Sequence, residues 1–278
     1  MPELLSPSSL NLNKKVRANS FNLYEIPVPF WQKVLGNDLH FHLGYFPKPG
    51  TSLEDSMRIA VRELGTQIPR RLVKRVLDVG CGWGGPAFEL ARIWKTEVLG
   101  LTSSNEQTHF INGQASLRKL PVRAMTVDVE RYGFDEIGTF DVLWLYEVLE
   151  HIADRRSLFV KLCSASRVDT NLAIAMSCRS PYVSREQLYN EFLGIQPLET
   201  LPELVKMLGE TGWKVLTMVD CTALTLPVWR LWLANLNKIA DKKYREQTNK
   251  LTVALSNTKE LYRIGKLQSV QIVARRCP

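Results

Sequence analysis

A group of closely spaced glycines in RVLDVGCGWGG, residues 75–85, has the residue types and spacing that best fit ligand binding. Gly80, Gly82 and Gly85 show the pattern G-x-G-x-x-G between a β-rich run and a helical sequence. A tight strand-to-helix turn needs positive φ angles, and a ligand that approaches the backbone closely leaves no room for a Cβ atom. The motif therefore predicts a nucleotide-like ligand at the start of a helix.

The residues after the second predicted strand indicate whether the ligand of this loop is a nicotinamide dinucleotide or another nucleotide-like molecule. A nicotinamide enzyme places an acidic residue there, roughly 20 residues beyond the glycines, to hold the ribose hydroxyls. This chain has GLTSSNEQ at that place, with Thr102 and Ser103 instead of an acid. The missing acid weakens the interpretation as a dinucleotide site.

Three segments resemble known families in the same order along the chain. LDVGCGWGG resembles motif I of class I S-adenosylmethionine-dependent methyltransferases, in which an acid two residues before the first glycine, here Asp78, is typical. GLTSSNEQ resembles a stretch of cyclopropane-fatty-acid synthases and of tocopherol and sterol C-methyltransferases, and HFHLGYFPKPGTSLEDSM resembles another segment of those families. The resemblance covers about residues 21–276 and is strongest over 39–152.

The resemblance implies S-adenosyl-L-methionine as the cofactor and implies which residues hold it. Asp128 would accept a hydrogen bond from the adenine amino group, and Thr102 and Gln107 would contact the ribose or its surroundings. No metal is expected. The expected cofactor-binding residues are Phe41, His42, Tyr45, Asp78, Gly80, Gly82, Thr102, Ser103, Gln107, Asp128, Val129 and Tyr146.

Several of these residues have a structural alternative that stays open. Asp78 can be a buried capping acid, and Asp128 can cap a loop at the end of a strand. The aromatic side chains of His40, His42 and Tyr45 can belong to the surface or to the core. Composition and spacing do not decide between these roles.

His151, His42 and Glu147 are the candidates for chemistry on the acceptor. His151 follows Glu147 by four residues at an expected helix start, so one helix face would carry both and Glu147 would orient the imidazole ring. A solvated or capping pair is the alternative. A base is needed only if the acceptor must lose a proton, and the motifs leave open whether oxygen, nitrogen or carbon is methylated.

The strands and helices that must position these residues can be predicted from the sequence. From Val73 onward, short apolar runs typical of strands alternate with segments that have helical periodicity. This pattern predicts an α/β fold, a Rossmann-like mixed seven-stranded sheet with helices on both faces, in which the last two strands form an antiparallel edge. The predicted strands are 74–79, 97–101, 122–127, 140–145, 171–176, 213–219 and 268–274.

The chain is expected to divide into a flexible or helical N-terminal arm at 1–20 and a methyltransferase domain at 21–278. Helical covers are expected at about 182–208 and 228–263. Their aromatic residues favour a small, largely apolar acceptor from specialised metabolism, aromatic or isoprenoid-like, although they can also simply cover the sheet. The aromatic residues expected to shape the acceptor pocket are Phe21, Tyr24, Phe30, Trp31, Trp229 and Trp232.

Composition narrows the other classes of function. The formal charge of +8 comes from basic residues that are spread along the chain, so no nucleic-acid partner is expected. Five widely spaced cysteines without C-x-x-C, and no secretory signal or transmembrane run, favour a reducing, cytoplasmic location. Assembly into a homo-oligomer is left open. Three alternative functions stay open: cyclopropane-synthase-like lipid modification, nucleic-acid methylation, and cofactor sensing without activity. A nucleic-acid methyltransferase usually has the motif [DN]-P-P-[YFW] where this chain has LYEV.

Overall fold

A computed structural model of the 278-residue chain describes residues 26–69, 72–185, 188 and 195–278. The arm expected at 1–20, and the aromatic residues Phe21 and Tyr24, lie outside the described residues. Part of the cover expected at 182–208 also lies outside them.

Seven strands form one sheet at the places that the alternating pattern predicts. They are β1 (Arg75–Val79), β2 (Glu97–Thr102), β3 (Val122–Thr126), β4 (Val142–Tyr146), β5 (Asn171–Arg179), β6 (Trp213–Asp220) and β7 (Leu267–Arg276). Their order is β3-β2-β1-β4-β5-β7-β6, with parallel pairing from β3 through to β5. The predicted mixed seven-stranded fold is confirmed.

The last two strands refine the prediction of an antiparallel edge. β7 is antiparallel to both β5 and β6, and it lies between them. Most residues of β7 are buried, whereas the later residues of β6 are exposed, as expected for an edge strand. The antiparallel strand is thus inside the sheet, and the strand before it in sequence forms the edge.

Helices cover both faces of the sheet. The α-helices in the described part of the chain are α1 (Val28–Leu35), α2 (Leu53–Thr66), α3 (Gly85–Trp94), α4 (Asn105–Arg118), α5 (Arg155–Leu162), α6 (Leu201–Glu210), α7 (Thr222–Leu236) and α8 (Arg245–Arg263). None of these helices is long and apolar enough to cross a membrane.

The helical cover expected over 228–263 consists of two helices rather than one. α7 begins before that range and ends at Leu236, and a 3₁₀ turn at Lys242–Tyr244 precedes α8. The Asp241 side chain accepts a hydrogen bond from the Lys243 N–H at 3.1 Å, which starts the new turn. A short polar side chain that binds nearby backbone in this way competes with continued helix.

The core has three parts that together position the site. Leu77 and Val79 of β1 face one side of the sheet, beneath α5 and α6, and Val76 faces the other side, beneath α2, α3 and α4. A third cluster joins α1, α7 and α8 to the segment around Leu43. We call its buried aromatic residues on α1, α7, α8 and the 3₁₀ turn before α8 the aromatic cover, which consists of Phe30, Trp31, Trp229, Trp232, Tyr244 and Tyr262.

Candidate cofactor and acceptor site

The glycine loop, residues 80–85, connects β1 to α3 and borders open space. Gly80, Gly82 and Gly84 have φ angles of 77°, 53° and 84°, in the left-handed region that favours glycine. A Cβ on Gly82 would meet no atom within 4 Å, so a ligand can approach its backbone closely. A Cβ on Gly80 would instead lie 2.2 Å from the Val148 Cγ2 atom, so this glycine also serves packing.

Gly85, the third glycine of the motif, serves a different purpose from Gly82. It begins α3, and a Cβ built on it would lie 2.7 Å from both the Cγ and Nδ1 atoms of His40. Gly85 therefore makes room for a protein side chain. The segment that contains His40 can consequently lie directly against the start of α3.

Asp78 lies at the end of β1 beneath this loop and is almost fully buried. Its Oδ2 atom has no hydrogen-bond partner among the described residues. Burial raises the pKa of the carboxyl to about 8, because the charged form loses its solvation. A buried carboxyl oxygen without a partner, beside backbone that a ligand can approach, fits a cofactor with a hydrogen-bond donor or a cationic group.

The turn after β2 contains the residues expected near the ribose. The Thr102 hydroxyl donates to the Gln107 Oε1 atom at 2.5 Å and accepts from the Ser104 N–H at 3.2 Å. Both Thr102 and Gln107 are buried, while Ser103 is exposed. These bonds hold the turn that leads into α4, and a contact with the ribose stays a prediction.

Asp128 follows β3 at the same edge of the sheet and has an exposed side chain. Its Oδ1 atom accepts a hydrogen bond from the Glu130 N–H at 3.1 Å, and its Oδ2 atom lies 3.5 Å from the Arg131 Nε atom. Val129 is buried in the core beside it. Asp128 thus caps its own turn and remains accessible, and its contact with adenine stays a prediction.

The segment at residues 39–46 lies against both the glycine loop and the end of β4. The Leu43 N–H donates to the Glu147 Oε1 atom at 3.1 Å, and the Tyr45 N–H donates to the Ser56 carbonyl oxygen at 2.9 Å. With His40 packed on Gly85, these contacts fix both halves of the segment. We call it the 39–46 segment below.

His42 uses both of its ring nitrogens inside the protein. Its Nδ1 atom lies 3.1 Å from the Leu43 carbonyl oxygen, which can only accept, so Nδ1 carries the hydrogen. Its Nε2 atom must then accept the hydrogen on the His40 Nδ1 atom, 2.9 Å away. Burial lowers the pKa of His42 to about 4, so the ring is neutral at pH 7. The arrangement suits a residue that holds the 39–46 segment in place.

Aromatic rings surround this segment. The His42 ring lies 4.5 Å from the Tyr146 ring, which stacks on Trp144 at 5.8 Å. Burial raises the pKa of Tyr146 and of Tyr45, so both phenols stay protonated. Phe41 is 37% exposed, and it is the most exposed aromatic residue of the segment. Cofactor contacts by Phe41, Tyr45 and Tyr146 stay predictions.

The predicted helix face with Glu147 and His151 is wrong. Glu147 has a φ angle of 51° and its N–H donates to the Ala175 carbonyl oxygen on β5 at 2.7 Å, so the chain turns sharply before a 3₁₀ turn at Leu149–His151. Among the contacts of the described residues, the Glu147 Oε1 atom binds the Leu43 N–H and does not bind His151. Glu147 therefore does not orient the imidazole ring of His151.

His151 is exposed, yet the surrounding protein removes enough solvent to lower its pKa to about 4. Its ring makes no hydrogen bond with the described residues, in contrast to His42. The ring is therefore neutral at pH 7 and has a lone pair available to a bound molecule.

Sequence reasoning missed Glu150, a buried carboxyl group next to His151. Its Oε1 atom accepts a hydrogen bond from the Ser177 N–H at 2.7 Å, and its Oε2 atom has no partner among the described residues. The Ser177 hydroxyl lies 2.7 Å from the Tyr262 hydroxyl of the aromatic cover. The sequence feature that could have identified it is the second acid in YEVLEHI, which follows closely after an apolar strand.

Comparison with known proteins identifies relatives of this chain. The family model for mycolic acid cyclopropane synthetase matches residues 12–272. O-methyltransferase resE of Aspergillus sclerotiorum is 26% identical over 231 residues, which are 79% of this chain and 85% of that protein. N-methyltransferase 4 of Papaver somniferum is 30% identical over 169 residues, 59% of this chain and 46% of that protein, so the match spans less than half of its length.

The fold is also shared with a solved structure, the cyclopropane synthase MmaA2 from Mycobacterium tuberculosis. The TM-score is 0.79 at 17% identity, and the match covers 95% of this chain and 98% of that one. Together with the glycine loop that a ligand can approach, the family match over nearly the whole chain settles the classification. The chain belongs to the mycolic acid cyclopropane synthetase family of S-adenosylmethionine-dependent methyltransferases.

Proposed function

We propose that the protein transfers the methyl group of S-adenosylmethionine to a small, largely apolar molecule of specialised metabolism. The acceptor would lie between the carboxyl edge of the sheet and the aromatic cover. The observation that supports this most strongly is the open space at Gly82 above Asp78, a buried acid with an unpartnered oxygen. Open α/β sheets bind ligands at this edge of their parallel strands.

The cofactor would be held by the glycine loop and Asp78, by the turns at Thr102 and Asp128, and by the 39–46 segment. Its sulfonium centre makes the methyl group electrophilic. The task of the protein is then to align the acceptor with the methyl group and to exclude water, and positioning of this kind can contribute roughly 7–11 kcal/mol. The neutral rings of Tyr45 and Tyr146 suit a cation, which aromatic faces attract.

Among the candidates for acid–base chemistry, the geometry favours His151 as the base when the acceptor must lose a proton. Its ring is accessible and makes no bond with the described residues, whereas both nitrogens of His42 are engaged. Glu147 and His42 would instead be positioning residues, because both hold the 39–46 segment. A pKa of about 4 leaves the His151 ring neutral at pH 7, but it also makes the ring a weaker base than an imidazole with a pKa near 7.

Modification of a lipid chain is a second candidate function, because the family model and the solved-structure match both come from cyclopropane synthases. Incubation with radiolabelled S-adenosylmethionine and separate pools of lipids, RNA and small metabolites distinguishes the candidates. Label that enters the metabolite pool supports the proposed function. Label that enters only lipids favours the second candidate, and label that enters only RNA contradicts both.

A further inference from the structure

A continuous series of aromatic rings runs from the 39–46 segment into the aromatic cover. Phe41 contacts Trp31 at 4.6 Å and Trp232 at 5.9 Å between ring centroids. Trp232 contacts Trp229 at 5.5 Å, and Trp229 contacts Tyr262 at 5.4 Å. Phe41 is partly exposed and belongs to the 39–46 segment, which we expect to contact the cofactor. The series of rings therefore connects that segment to the buried interior of the aromatic cover.

The indole N–H groups in this series have no partners. Trp31, Trp229 and Trp232 are at most 5% exposed, and the Nε1 atom of each lacks a hydrogen bond among the described residues. An indole N–H can only donate, and a buried donor left without a partner costs about 1–3 kcal/mol. The buried Trp213 shows the usual arrangement, because it donates to the Phe159 carbonyl oxygen at 3.1 Å.

Lack of a partner is not restricted to the aromatic cover, since the indole of Trp144 on β4 also lacks one. Trp144 belongs to the core on one face of the sheet, however, where its ring contacts Trp94 and Tyr146 rather than a ring of the aromatic cover. The aromatic cover differs because three such donors lie in one connected series that reaches a partly exposed ring. This concentration of donors indicates a molecule that brings acceptors.

The inner end of the series has further polar groups. The Tyr262 and Ser177 hydroxyls bond to each other, and the Ser177 N–H binds the Glu150 Oε1 atom. The Glu150 Oε2 atom has no partner among the described residues, and burial raises the pKa of this carboxyl. The unpartnered indole donors of the cover therefore favour oxygen atoms on the ligand.

We propose that the acceptor is a ring-containing molecule that carries hydroxyl, ether or carbonyl oxygens, and that the indole N–H groups of Trp31, Trp229 and Trp232 bind these oxygens. The inference rests on the proposed function and specifies its substrate class. An ammonium group can only donate hydrogen bonds, so it cannot pair with the indole N–H groups, which also only donate. The site therefore selects oxygenated acceptors over amines of similar shape. A flat ring packs well against aromatic side chains.

The first test compares a phenol probe and an amine probe that share a naphthalene ring, on the wild-type protein saturated with S-adenosylhomocysteine. Titration calorimetry with 2-naphthol and 2-naphthylmethylamine should show at least about tenfold tighter binding of the naphthol. Equal or tighter binding of the amine, or binding of neither probe while S-adenosylhomocysteine binds, would overturn the inference and leave methyl transfer intact. Failure of S-adenosylhomocysteine to bind would instead contradict the proposed function.

The second test removes single donors. Trp229→Phe and Trp232→Phe keep an aromatic ring and should weaken 2-naphthol by about 2–12-fold each, the effect of one neutral hydrogen bond. Binding of 2-methylnaphthalene, which has a methyl group in place of the hydroxyl, should change much less. Trp144→Phe is the matched control and should not alter the preference between the two probes. An equal loss for both probes in the cover variants would contradict donor recognition.

A measurement on the wild type avoids any effect of these substitutions on folding. In protein labelled with ¹⁵N at tryptophan, 2-naphthol should shift the indole N–H signals of Trp229 and Trp232, because its one oxygen can accept two hydrogen bonds, and leave that of Trp144 nearly unchanged. Signals of these two cover residues that do not move at saturating naphthol would overturn the inference.

Discussion

At the scale of single residues, Asp78 is the group whose protonation should respond most to the cofactor. Its pKa of about 8 lies far above the usual 3.8 of an aspartate because of burial. Between these pH values the folded protein keeps a proton that the unfolded chain releases, so this carboxyl makes stability fall as the pH rises. A cationic or donating group of the cofactor beside Oδ2 would favour the charged form.

We therefore expect S-adenosylmethionine binding at pH 7 to release close to one proton from the wild type. Titration calorimetry in buffers with different ionisation enthalpies measures this number. Asp78→Asn has no proton to release at this position and should bring the value close to zero. Proton release that is the same in both proteins would show that Asp78 does not face the cofactor.

Gly85 gives a prediction about packing. In Gly85→Ala the added Cβ would meet the His40 ring at 2.7 Å, so the 39–46 segment must move away from α3. We expect at least tenfold weaker binding of S-adenosylhomocysteine and lower thermal stability. Gly113→Ala is the control, because Gly113 lies inside α4 and a Cβ there meets no atom within 4 Å. Binding by Gly85→Ala that equals the control would argue against a link between His40 and the cofactor site.

His151 and His42 should differ in what their loss affects. If the acceptor loses a proton, His151→Ala should lower turnover by roughly 10²–10⁴ with unchanged cofactor affinity, as for removal of a general base. His42→Ala should mainly weaken cofactor binding, since it breaks the bonds to His40 and Leu43. Steady-state kinetics and calorimetry separate the two effects, and near-normal turnover of His151→Ala would exclude it as the base.

At the scale of elements, the contact between Glu147 and Leu43 joins β4 to the 39–46 segment. Glu147→Gln keeps the oxygen that accepts the Leu43 N–H, whereas Glu147→Ala removes it. Hydrogen exchange of the Leu43 amide should therefore be at least tenfold faster in the alanine variant and little changed in the glutamine variant. The Tyr45 amide, which binds the Ser56 carbonyl oxygen, is the internal reference. Equal Leu43 exchange in the wild type and both variants would show that this bond does not hold the segment.

The positions of the strands were the feature of the structure that the sequence predicted best. Strand positions agree with the prediction because each strand is a short apolar run between polar turns, and this pattern is local. The turn after β4 was mispredicted as the start of a helix. The spacing of Glu147 and His151 fits a helix, but the backbone bond from Glu147 to Ala175 on β5 competes with it, and a single sequence does not reveal that partner.

At the scale of the whole molecule, the site depends on contacts between residues that are far apart in sequence. Leu43 and Glu147 are 104 positions apart, and Ser177 and Tyr262 are 85 apart. The place of β7 between β5 and β6 is equally non-local. Motifs could therefore identify the glycine loop, which is a single continuous segment, but not the roles of Gly85 or of Glu150.

The central claim is that this fold binds S-adenosylmethionine through the glycine loop, and titration calorimetry of the 278-residue chain tests it most directly. The account predicts that S-adenosylmethionine and S-adenosylhomocysteine bind and that NAD does not. Gly82→Val should abolish this binding, because its branched side chain would enter the space now open at φ 53°. Tight binding of NAD without binding of S-adenosylmethionine, or unchanged binding by Gly82→Val, would contradict it.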